Sequence, residues 1–198
     1  MDTQEFAAFF VFAFTAAVTP GPSNLLVMNA GMRGGLAGGL PSLAGVIAGM
    51  GVLMGAGGAG LGGLLLVVPG LTSGLQWVGA GVLLWLSWRV ATAPPLAAQA
   101  RGDPVGFWKA FAFQWVNPKS WVVSASAAAS YAGSPEVPIG VRAAALAGTF
   151  MMAATPSVAL WLVFGASLQR WMSDPKTARM LHVAMGLSLA ASVIVLFR

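Results

Sequence analysis

The residues with chemistry to offer are few, and most of them gather at two places. The first is Thr19-Pro20-Gly21-Pro22-Ser23-Asn24 and the second is Gln114-Trp115-Val116-Asn117-Pro118-Lys119-Ser120. Each sets proline beside hydroxyl or amide side chains within an otherwise apolar run. Proline removes a backbone donor and frees carbonyls upstream, which is tolerated in a bilayer only where protein or a watery cavity satisfies them. The half-helix after each break begins with N–H groups that have no intrahelical acceptor, a partial positive charge that attracts carboxylates. Ser23 and Asn24 can cap or donate around the first break, Asn117 and Ser120 around the second. Lys119 is the residue placed as a charge within a span, which insertion scales put at about 2.5 to 3.5 kcal/mol at the bilayer centre. Its ammonium can pair with a substrate carboxylate, or lose and regain a proton. The plain alternatives are a simple kink at each proline and a Lys119 stem that snorkels to the interface. The matched pair of motifs favours a binding site, with Pro20, Gly21, Pro22, Ser23, Asn24, Gln114, Asn117, Pro118 and Lys119 as its candidate residues.

Little else in the chain can react. There is no cysteine and a single histidine, His182, at the start of an apolar segment where an interfacial role is expected. The five acids, Asp2, Glu5, Asp103, Glu136 and Asp174, are scattered singly, so neither paired-carboxylate catalysis nor a divalent metal site is expected, and no cofactor is implied. Thr155-Pro156-Ser157 reads as a kink with local hydroxyl rescue. An enzyme lacks its parts here.

The surroundings of these motifs are membrane-like. Of 198 residues 58% are apolar, 26 are glycine and only 8% are charged, where a soluble domain carries about 25%, so a water-clothed globule is excluded. The net charge of +5 is spread along the chain rather than clustered, which argues against nucleic acid and for an asymmetric membrane topology. The acidic start, Asp2 and Glu5, suits a retained span rather than a signal peptide.

Residues 34 to 88 contain no charge. As one helix they would be roughly 80 Å long against a hydrocarbon core of about 30 Å, so the run must fold back, with turn chemistry at Gly57-Gly58, Gly62-Gly63 and Pro69-Gly70. Spans are expected near 5–29, 37–59, 70–90, 107–131, 142–167 and 179–197. Arg33, Arg89, Arg101, Lys109, Arg170, Lys176 and Arg179 then fall on one side, the cytoplasmic one, against Arg142 and Arg198 opposite. Trp85, Trp88, Trp108 and Trp171 lie near span ends on that side, as an aromatic belt or as packing between helices. Both termini face outward on six spans; five spans would flip one. The small-residue pairs Gly45/Gly49 and Gly51/Gly55 suit close packing within the bundle, with a homodimer face as the alternative.

Pro118 follows Pro22 by 96 residues, and each half has one interrupted span followed by two plainer ones. The expected fold is therefore an all-α polytopic membrane protein of six transmembrane helices. These form two inverted three-helix repeats, residues 1–90 and 107–198, joined by a cytoplasmic linker at 91–106, with the first helix of each broken.

The wording of three stretches carries a resemblance over nearly the whole chain. TPGPSNLLVM, GVLLWLSWRVAT and FWKAFAFQWVNPKSW resemble the LysE/RhtB family of amino-acid exporters, in wording most like its cysteine/O-acetylserine subgroup. The resemblance implies efflux of a small amino acid or derivative across a bacterial inner membrane, driven by the proton gradient, with Pro20-Gly21-Pro22 and Asn117-Pro118-Lys119 at the family's motif positions. Many family members carry an acid in the second span, where this chain has Met50. Without an intramembrane carboxylate a neutral substrate is favoured over a cationic one. A passive solute channel and a non-transporting assembly subunit remain the rival readings.

Overall fold

The structure, a computed structural model, describes residues 1–61, 68, 70–92, 104–131, 137–168 and 174–196. Helices account for nearly all of these, with no strand among the described residues. The linker core at 93–103, Gly62-Gly63, Pro69, Arg101, Arg170, Trp171 and Arg198 lie outside them.

Helix α1, Thr3–Val18, starts on a capping box in which Asp2 and Glu5 each accept the other's backbone N–H, satisfying two orphan donors. It stops at Val18 because Thr19 and Gly21 each precede a proline and take extended backbone. Helix α2, Pro22–Ala56, restarts with proline at its first position, where no donor is missed. Gly35 stands inside it at φ 65, a left-handed conformation that glycine adopts without penalty. There the chain reverses: a Cβ on Gly39 would come 3.3 Å from the Gly31 nitrogen, whereas eight residues of straight helix would separate them by about 12 Å. The reversal falls between residues 29 and 37, where the first and second spans are expected to part. A π-helical segment, Gly57–Leu61, closes the second arm, and left-handed Gly60 and Gly70 bracket the passage to helix α3, Leu71–Ala91.

The second half carries a break of its own. Helix α4, Phe107–Val116, ends at Asn117, whose extended backbone lets Pro118 open helix α5, Pro118–Tyr131. Helix α6, Ile139–Leu168, carries Pro156 internally, and helix α7 runs Pro175–Leu196. Asp174 caps α7: its carboxylate accepts from the Thr177 hydroxyl at 2.5 Å and the Thr177 amide at 2.9 Å. Those bonds hold its pKa below the ordinary carboxylate value. Among the described residues, two stretches are by length and composition apolar enough to cross a bilayer, Pro22–Gly60, which contains the Gly35 reversal, and Ile139–Leu168, with Thr3–Val18 a shorter apolar helix.

The glycines set the packing. Cβ atoms at Gly45 and Gly49 would fall 2.3 and 2.7 Å from the carbonyl oxygens of Phe107 and Phe111, and at Gly165 2.0 Å from that of Met28. Backbones this close admit only glycine. Gly51 and Gly55 face α6 instead, so both small-residue pairs serve contacts inside the bundle. One core gathers Phe9, Leu53, Met54, Leu146 and Phe150 from α1, α2 and α6, and another joins Leu25 and Met32 to Leu83, Met185 and Leu189 of α3 and α7. Trp85, Trp88 and Trp108 point outward, more than half exposed, so packing between helices does not hold them. His182 is buried, 3% exposed.

Candidate functional site

The two breaks meet at one place. Asn117 Nδ2 donates to Ser23 Oγ at 2.9 Å, and Ser23 Oγ donates to Gln114 Oε1 at 2.8 Å, joining residues more than ninety positions apart. Ser120 Oγ donates to the same Gln114 oxygen at 3.1 Å. Gln114 has no exposed surface, Asn117 and Ser120 have 2% each, and buried polar groups of this kind must be paired to be tolerated.

Carbonyls around the breaks take side-chain donors, both from their own segment and from distant helices. Asn24 Nδ2 donates to Ala17 O and Thr19 O, both at 2.9 Å, closing the first break across its own gap. Lys119 Nζ, from the second break, reaches Thr19 O at 2.7 Å. Helix α6 supplies two more donors: Ser157 Oγ to Phe14 O at 3.3 Å, and Trp161 Nε1 to Val18 O at 3.2 Å. At the second break Trp121 Nε1 donates to Trp115 O at 2.8 Å. Lys119 packs over Gly21, where a Cβ would lie 3.1 Å from Lys119 Cδ and Nζ, so a side chain there would have to shift the lysine.

A cavity of about 40 Å³ lies between the breaks, room for a few water molecules. Gly21, Ser23, Asn24, Gln114, Asn117, Lys119 and Ser120 give it a polar side. Val46, Ile47, Met50, Phe150, Ala154 and Val158 form an apolar wall. The start of α2 has no side-chain cap, so the Ser23 and Asn24 amides stand as orphan donors beside the cavity. At α5 the Lys119 amide is capped by Asn117 Oδ1 at 3.2 Å.

Six of the nine expected residues, Gly21, Ser23, Asn24, Gln114, Asn117 and Lys119, are thus brought together on the cavity. The three prolines are not. Pro20 is exposed, Pro22 lines a separate apolar pocket with Leu25, Phe113 and Met185, and Pro118 packs on Gly79. They make the breaks without facing the cavity. Sequence reasoning missed Trp161 altogether and reduced Ser157 to a kink rescue; a hydroxyl directly after a helix proline was the available signal for the latter. Met50, where an acid was sought, lies on the cavity's apolar wall.

The two broken helices thus meet around a small cavity that is polar on one side and apolar on the other. The chain belongs to the LysE type translocator family, whose profile matches residues 14–197. It is 37% identical to a cysteine/O-acetylserine efflux protein of Salmonella typhimurium over 119 residues, 60% of this chain and 61% of that protein. A protein of the same description from Escherichia coli K12 is 34% identical over 114 residues, 57% of this chain and 58% of its own. These matches span about three fifths of the relatives' length. No solved structure matches the chain.

Proposed function

We propose that this chain is a multi-pass exporter in a bacterial inner membrane for a small neutral amino acid or derivative, of the kind named for its cysteine/O-acetylserine relatives. Export is coupled to protons and proceeds by alternating access about the cavity between the two breaks. The observation that carries the reading is the junction Asn117 to Ser23 to Gln114, which ties the two interrupted helices together at a hollow. The substrate carboxylate takes the orphan amides of Ser23 and Asn24 with the Lys119 ammonium, since helix N-termini and lysine both favour anions. Asn24 keeps its amide on the break carbonyls and so holds the site's shape. The cavity offers a cationic side chain no carboxylate, which supports a neutral substrate.

The reading of six spans in two inverted repeats, flanking the 91–106 linker, draws support from matched contacts. Met28 and Ser124 each stand six residues after the proline that opens their half-helix, and each meets a glycine of the other half, Gly165 and Gly57. An inverted pair of three-helix units would place both contacts in equivalent positions. The test is counterflow of labelled cysteine and O-acetylserine in vesicles containing this protein alone. Saturable exchange that responds to an imposed proton gradient is expected. Non-saturating flux indifferent to the gradient would instead mark a channel, and no flux an assembly subunit.

A further inference from the structure

An amino acid is a zwitterion, and the carboxylate reading leaves its ammonium without a partner in a cavity that holds no acid. We infer that Gln114 turns the hydroxyls of Ser23 and Ser120 into acceptors, and that these two oxygens form the subsite for the substrate's ammonium group. The inference rests on the reading of the cavity as an amino-acid site.

The geometry leaves the hydrogen bonds one direction. Gln114 Nε2 donates to Ala110 O at 3.0 Å, which fixes the amide so that Oε1 faces the hydroxyls. An amide oxygen can only accept. Both Ser23, at 2.8 Å, and Ser120, at 3.1 Å, must therefore spend their hydrogen on it. Ser23 Oγ then accepts from Asn117 and keeps one lone pair, and Ser120 Oγ keeps two. Both residues line the cavity, and both oxygens converge on a single atom, so one ammonium can reach the two of them. The stem of Gln114 packs on Gly49, where a Cβ would lie 2.8 Å from Gln114 Cγ. The donors Lys119 and the Ser23 and Asn24 amides thus serve the carboxylate while the hydroxyl oxygens serve the ammonium. Gln114 acts through the two serines as a positioning residue.

The test compares ligands with and without the amine. In vesicles holding the full chain, O-acetyl-L-serine and its desamino counterpart, 3-acetoxypropionate, compete against labelled O-acetyl-L-serine uptake in the parent, Ser120→Ala and Gln114→Leu proteins. The parent should prefer the amine-bearing ligand by about tenfold, the scale of a hydrogen bond to a charged group. That preference should fall to about threefold or less in Ser120→Ala, and further in Gln114→Leu. Gln114→Glu, which still accepts from both hydroxyls, should retain most of it. An undiminished preference in Ser120→Ala and Gln114→Leu places the ammonium elsewhere and overturns the inference while the exporter reading stands. Absence of uptake by the parent overturns both. Should Gln114→Leu not accumulate, the Ser120→Ala comparison decides alone.

Discussion

The ammonium of Lys119 lies 2.7 Å from the carbonyl oxygen of Thr19, one hundred residues away along the chain. The charge of the second break thereby closes the backbone of the first. A carboxylate arriving in the cavity offers this ammonium a stronger, charge-assisted partner than a peptide carbonyl. Lys119→Met, which keeps the stem and removes the charge, should lower export roughly 10- to 100-fold, as expected for loss of a hydrogen bond between charged groups. Its abundance in the membrane should match the parent. Export measured at equal protein level checks this, and an unchanged rate removes Lys119 from substrate binding.

The prolines act on the same site from outside it. Pro22 and Pro118 face away from the cavity, and their contribution is the missing N–H and the extended residue before each. Pro22→Leu and Pro118→Leu allow the helices to continue, withdrawing the orphan amides and the Asn117 side chain from the hollow. Each should impair export, and vesicle flux of both single variants and the double variant tests it. Full export by the double variant would place the site elsewhere.

How much of this was written in the sequence depends on the kind of signal. The breaks were legible because proline acts through its own backbone, so Pro22 and Pro118 announce themselves without knowledge of neighbours. The meeting of Ser23 with Gln114 and Asn117 was only half legible, since matched breaks imply a shared place and not a hydrogen-bond order. Trp161 and Ser157 were not legible: their partners are backbone carbonyls of Val18 and Phe14, which no residue type marks. The turn at Gly35 was visible as a boundary, while its left-handed glycine was one of several candidates in a glycine-rich stretch. The roles of Gly45 and Gly49 came out as their spacing suggested, facing α4 rather than a second chain.

Glycine substitutions separate contact from propensity. Gly165→Ala forces a methyl to 2.0 Å from the Met28 carbonyl and should destabilise the bundle by about 1 to 3 kcal/mol, the cost of overpacking. Gly148→Ala on the same helix meets nothing within 4 Å and should cause no loss. Thermal unfolding of the two variants in detergent reads the difference. Equal behaviour would mean that α2 and α6 do not approach as described.

Asp174 supplies a pH dependence at the start of α7. Its pKa is lowered in the folded chain, so its capping contribution is present above the unfolded carboxylate value of about 3.9 and is lost as pH falls through the depressed folded value. Amide hydrogen exchange at Thr177 should be faster in Asp174→Ala than in the parent at neutral pH. Once the intrinsic pH dependence of exchange is divided out, the two should converge as acid protonates the cap. Equal protection at neutral pH would dismiss the cap.

On the proposed function, a substrate carboxylate sits between the two breaks beside Lys119. The most direct measurement is the dipolar coupling, by solid-state NMR, between carboxyl-carbon-labelled O-acetyl-L-serine and lysine side-chain nitrogen in membranes of the full chain. A coupling matching a separation of about 4 Å is expected in the parent, and its disappearance in Lys119→Met would assign it to that residue. Bound substrate with no coupling to any lysine nitrogen would contradict the account.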